Sequence, residues 1–109
     1  MAKPQIDRID VHIVKQLLAR HEELKHVRVR KYGDLLILES GPSDNPWPHA
    51  RLRRETVQYW RLEMPSHGRW ERTPFRGTDE QVINILIHDF GWMLAPVLDY
   101  PARFSDRKY

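Results

Sequence analysis

Residues 26–40, HVRVRKYGDLLILES, alternate apolar and polar side chains up to a Gly33-Asp34 pair and turn apolar again directly after it. A period of two followed by a turn dipeptide suited to the primed turns of hairpins leaves the segment little choice but to fold back on itself as two antiparallel strands. Pairing Tyr32 with Leu35 fixes the register. Val27 and Val29 then share a face with Leu36 and Leu38, while Arg28, Arg30 and Tyr32 share the other with Leu35, Ile37 and Glu39. The first face is core, and the second mixes cations, an acid and apolar residues.

The remaining segments are read around this hairpin. Ile6, Ile9, Ile13, Leu17 and Leu24 recur on one helical stripe, which predicts a first amphipathic helix from about Asp7 to Leu24 with Asp7 as its cap. SGPSDNPWPHA reads as a loop in which Pro46 and Pro48 hold Trp47 extended, its ring expected to fold over the edge of the core. From Arg51 to Met64 one long strand is expected, although it alternates well only in its second half. Ser66-His67-Gly68 then suits a three-residue turn with Gly68 left-handed, and RWERTPF returns. That register sends Trp60, Leu62, Met64 and Trp70 to the core face, and Tyr59, Arg61, Glu63, Glu71, Thr73 and Phe75 to the other. Pro74 removes a ladder donor and marks an edge or an end.

Thr78 opens a capping box with Gln81 ahead of VINILIHDF, and Gly91 stands where a left-handed cap belongs, so a second helix is expected from about Asp79 to Phe90. Residues 92–109 form a tail, apolar in its first half, that should pack on the domain or on a partner. The expected architecture is a single α+β domain spanning residues 1–109. It has an N-terminal helix, a four-stranded antiparallel sheet of two hairpins, a C-terminal helix packed on one sheet face, and an extended apolar tail.

Several function classes find no support. With no cysteine the chain builds neither disulfides nor zinc-thiolate sites, and its six histidines show no pair at helical i, i+4 spacing, so no metal site is expected. There is no glycine-rich phosphate loop, no Ser-His-Asp signature and no motif for a cofactor. No apolar run approaches the roughly 18 residues of a membrane helix, and the N-terminus lacks the apolar core of a signal peptide. The cytoplasm is the expected compartment.

Charge singles out the middle of the chain. Residues 25–76 hold eleven Lys or Arg against six Asp or Glu, and nine of the eleven are arginine, the cation suited to bidentate and stacked contacts. On the open sheet face this gives Arg28, Arg30, Tyr32, Tyr59, Arg61 and Phe75 as candidate binding residues, with Arg51, Arg53 and Arg54 of RLRR nearby and Trp47 at the margin. Three readings follow. Leu35 and Ile37 among arginines and aromatics favour a non-enzymatic protein interface, including self-association as a homodimer. Arginine interleaved with aromatics favours RNA or single-stranded DNA on the same face, with Glu39, Glu55, Glu63 and Glu71 opposing it. A small ribonuclease using His49 or His67 beside Arg51 or Arg69 comes third. A plainer account needs no ligand: arginine and glutamate alternating across strands pair with one another.

Overall fold

In a computed structural model, which describes residues 8–96, the chain is an α+β fold with two helices and a five-stranded antiparallel meander. The elements are α1 (Arg8–Ala19), β1 (Arg28–Tyr32), β2 (Leu35–Ser40), β3 (Trp47–Arg54), β4 (Trp60–Ser66), β5 (Arg69–Gly77) and α2 (Asp79–Asp89), in sheet order β1-β2-β3-β4-β5. Short 3-10 turns at Glu22–Leu24 and Gly91–Leu94 follow the two helices. Both helices pack on one sheet face. Between the layers lies a core of Val14, Leu17, Leu18, Val29, Leu36, Leu38, Leu52, Trp60, Leu62, Val82, Ile83, Leu86 and Leu94.

The first hairpin has the expected register, Tyr32 opposite Leu35 and Val29 opposite Leu38, with Gly33 at φ 60 as a II′ turn requires. The α2 capping box is also present, Thr78 accepting from the Gln81 backbone while the Gln81 side chain accepts from Thr78.

Five strands replace the expected four because Arg51–Met64 is two strands and not one. Residues 55–59 turn between them without glycine or proline. The Thr56 hydroxyl accepts from the Gln58 and Tyr59 amides, and the Arg54 guanidinium binds the carbonyls of Thr56 and Val57. β3 also starts earlier, taking in Trp47–Ala50 from the supposed loop. Pro48 is tolerated there because this end of β3 pairs only with β2; its pairing with β4 begins at Arg51.

The second hairpin is shifted by one residue. Ser66 pairs with Arg69, so the turn has two residues, His67 at φ 51 and Gly68 at φ 78, and the odd residue is a histidine in the left-handed region. Shifting a strand by one residue exchanges its faces. Trp70 therefore lies opposite Pro65 on the open face, and Glu71 opposite Met64 on the helix side. Past an irregularity where pairing steps from Glu63↔Arg72 to Arg61↔Arg76, Phe75 turns toward the helices and meets Phe90 at 5.4 Å between ring centroids. Pro74 sits within this irregularity on an edge strand, and pairing continues beyond it to Gly77.

Smaller departures concern the helices. The α1 stripe is rotated, burying Val14, Leu17 and Leu18 and leaving Ile9 exposed, and the helix stops at Ala19. Gly91 is not left-handed and begins the 3-10 turn that sets Leu94 in the core. The expected cap Asp7 and the tail from residue 97 onward lie outside the described residues.

The placement of Trp60 in the core and Trp70 on the open face has a measurable consequence. Trp60→Ala should cost about 3–5 kcal/mol, as emptying a buried aromatic site does, while Trp70→Ala costs less than half of that in the same urea titration.

Candidate functional site

The face of the sheet away from the helices is an arginine and carboxylate lattice. Strand alternation aims Arg28 and Arg30 of β1, Arg51 and Arg53 of β3, Arg61 and Glu63 of β4, and Trp70, Arg72 and Arg76 of β5 to this side, together with Leu35, Ile37 and Glu39 of β2. Three glutamates act as nodes. Glu39 lies 3.5 Å from Arg28 Nε and accepts from Arg30 Nε and Nη2. Glu63 accepts from Arg51 Nε at 2.6 Å and Arg53 Nε at 2.9 Å, with Arg72 Nε at 3.9 Å. Glu55 accepts from Arg61 Nε at 2.8 Å and Arg72 Nη2 at 3.0 Å, and Arg76 lies 3.8 Å away. Asp34, at the first turn, joins Arg53.

Two of the nodes sit low and the β5 cations ride high. Glu39 and Glu63 are each 2% exposed, whereas the side chains of Arg72 and Arg76 are 64% and 51% exposed. Leu35 and Ile37 are buried as well. In register, Ile37 stands between Arg30 and Arg51, and Leu35 between Tyr32 and Arg53, where aliphatic arginine stems can lie along them. Seven guanidiniums meet four carboxylates on this face, an excess of three positive charges among the described residues.

The electrostatics follow the geometry. Burial acts to raise the Glu63 carboxyl, but hydrogen bonds and charge from Arg53 and Arg51 outweigh it, leaving it below the ordinary carboxylate range. The bond from Arg61 lowers Glu55, against a smaller opposing effect of burial. Arg53 is raised, chiefly by its bond to Glu63. These shifts hold Glu63, Glu55 and Arg53 ionised at neutral pH.

The candidate residues do not all belong to it. Arg28, Arg30, Tyr32, Arg51, Arg53 and Arg61 are on the open face, and Tyr59 adjoins it beneath the Arg76 guanidinium, 5.7 Å from the ring centroid. Arg54 is instead on the helix side, over Trp60 and paired with Asp10 of α1, because it is out of phase with Arg51 and Arg53. Phe75 is on the helix side too. Trp47 lines a separate cleft of about 290 Å³ with Pro65, His67 and Trp92, near the ends where β3 and β4 are no longer paired. Trp70, expected in the core, lies against the lattice instead, and Arg72 and Arg76, cations that strand and turn punctuation leave unexplained in the sequence, belong to it. The one-residue turn shift hides Trp70, and the glutamates, which seemed to oppose an anion, turn out to organise the cations.

His49 and His67 both line the cleft, but His49 has no ring nitrogen to spare. Nε2 bonds the Ser40 hydroxyl at 2.7 Å and Nδ1 the Met93 carbonyl at 2.8 Å, tying β2, β3 and the Gly91–Leu94 turn together. Among the described residues no cluster of three metal-ligating side chains occurs, and no helix is long and apolar enough to cross a membrane. No protein-family model, curated protein or solved structure matches the chain.

Two outcomes test these assignments. Glu63→Gln, which leaves the buried Arg51 without its counter-charge, should destabilise the fold by about 3 kcal/mol in urea. Burial depresses His49 from its ordinary 6.5, against the Met93 bond and with help from the neighbouring His26. The unfolded chain then binds the extra proton, so stability falls as pH drops below about 6.5. Thermal melts should show that decline reduced in His49→Gln.

Proposed function

We propose that the chain is a non-enzymatic interaction module that holds single-stranded nucleic acid, RNA or DNA, on the open face of its sheet. The observation that carries this reading is the vertical ordering of charge. Glu39 and Glu63 are submerged at the sheet surface, the guanidiniums of Arg28, Arg30, Arg72 and Arg76 lie outermost, and the excess is three positive charges over five adjacent strands. A flexible polyanion fits such a face, its phosphates meeting guanidinium donors and its bases meeting Tyr32, Tyr59 or Trp70 at the margins. The helices pack on the other side and leave their own polar residues to solvent.

The homodimer reading draws no support from Leu35 and Ile37, which are already covered within the chain. A twofold contact through this face would also bring two like-charged lattices together. An acidic protein surface is the nearest competitor, because it meets the same cations. It differs in lacking bases to stack.

Anisotropy titrations with a labelled oligouridine of about 12 nucleotides check the proposal. Three neutralised phosphates give a log–log salt slope of about −2, so affinity should fall roughly fifteenfold between about 50 and 200 mM salt. Arg72→Glu and Arg76→Glu, both on exposed side chains, should weaken binding while leaving the melting temperature nearly unchanged. Binding that is absent, or indifferent to salt and to both reversals, contradicts it.

A further inference from the structure

Arg51 is held unlike the other cations of the lattice. Its side chain is 9% exposed, its Nε donates to Glu63 at 2.6 Å, and its guanidinium carbon lies 4.4 Å from the centroid of the Trp70 ring. Its Nη1 and Nη2 groups nevertheless meet no acceptor among the described residues. A guanidinium pinned by a carboxylate on one edge and an aromatic ring on its face cannot turn to find partners elsewhere. Its remaining donors are already oriented and open to solvent, so an incoming acceptor meets them without a rearrangement of the side chain.

These donors belong to a depression of about 410 Å³ lined by Arg51, Arg53, Glu63, Trp70 and Arg72. Arg53 spends Nε and Nη2 on Glu63 and Nη1 on Asp34. Arg72, the most exposed lining cation, reaches Glu55 through Nη2 and stays within 3.9 Å of Glu63 through Nε. The lining holds three guanidiniums and one carboxylate, while Asp34 pairs with Arg53 from outside it and Glu55 is shared among Arg61, Arg72 and Arg76. A phosphodiester carries one negative charge, whereas a phosphate monoester carries about 1.5 to 2 near neutral pH and offers three acceptor oxygens.

We infer that this depression binds a phosphate monoester, the terminal phosphate of a nucleic-acid strand, through the Nη edge of Arg51 and the side chain of Arg72. The inference rests on the reading of the open face as a nucleic-acid surface and gives that surface an anchor. Internal phosphates would lie along the exposed arginines, and the strand's end would be set by Arg51. Trp70 acts here as a positioning residue that keeps the guanidinium plane in place.

The test compares strands of about 12 nucleotides carrying a 5′-phosphate, a 3′-phosphate or no terminal phosphate, titrated into the full chain, with inorganic phosphate as a small probe. A phosphorylated strand should bind about tenfold tighter than its unphosphorylated counterpart. That advantage should vanish in Arg51→Gln and in Arg72→Gln, and inorganic phosphate should erase it in the unaltered protein. Arg72→Gln, at an exposed position, decides the matter if Arg51→Gln does not fold. Equal affinity for all three strands, or an advantage that survives Arg72→Gln, overturns the anchor while leaving strand binding in place. If no strand binds but inorganic phosphate does, and Arg72→Gln abolishes it, the phosphate site stands and the strand reading falls. If neither binds, both fall.

Discussion

Glu39 and Glu63 lie almost fully buried on a sheet face that neither helix covers, and most of the molecule's surface chemistry follows from supplying them with partners. An unpaired carboxylate in that position would cost several kcal/mol or take up a proton. Here each is held by two arginines of one neighbouring strand, Glu39 by Arg28 and Arg30 of β1, Glu63 by Arg51 and Arg53 of β3. The arginine positions are thus structural requirements before they are binding residues. Their stems flank Leu35 and Ile37, which gives the second face of the sheet an apolar layer without a third layer of secondary structure.

The arrangement also explains why a face rich in ion pairs remains basic. Pairing happens at the level of the sheet, through Nε and the inner edge of each guanidinium, and consumes one carboxylate for about two cations. The outer guanidinium edges of Arg72 and Arg76 stay at the surface. Glu55, in the turn between β3 and β4, gathers Arg61, Arg72 and Arg76 in the same way and carries the lattice to the β5 edge. The opposite face works by apolar burial, with Arg54 and Asp10 as an ion pair between β3 and α1. The two layers are therefore built on different physics: packing on one side, paired charge on the other.

How much of this the sequence revealed depended on whether local chemistry had one solution or two. Gly33-Asp34 and the alternation around it admit one register, and Thr78 with Gln81 admits one helix start; both are present as expected. Ser66-His67-Gly68 admits a turn of two residues or three, and the choice depends on a histidine accepting a positive φ, which nothing local signals. That single ambiguity exchanged Trp70 for a core residue and concealed the wall of the Arg51 depression. Pro46-Trp47-Pro48 reads as loop because proline is costly in a paired strand, and only the termination of β3–β4 pairing at Arg51 makes Pro48 acceptable. The alternating phase of RLRR already separates Arg54 from Arg51 and Arg53, so its place on the helix side was legible in the pattern. The role of the glutamates was not, since whether an acid opposes or organises a set of cations depends on the depth at which it lies.

The central claim is that the outward edges of the lattice arginines form one anion-binding surface. Two-dimensional NMR of the arginine Nε–Hε groups, followed while a short single strand is added, addresses it most directly. The account predicts that the resonances of Arg51, Arg72 and Arg76 shift together and saturate at one strand concentration, while Arg54 on the helix side stays in place. Shifts confined to Arg54 and the α1–α2 surface, or none at saturating strand, would contradict it.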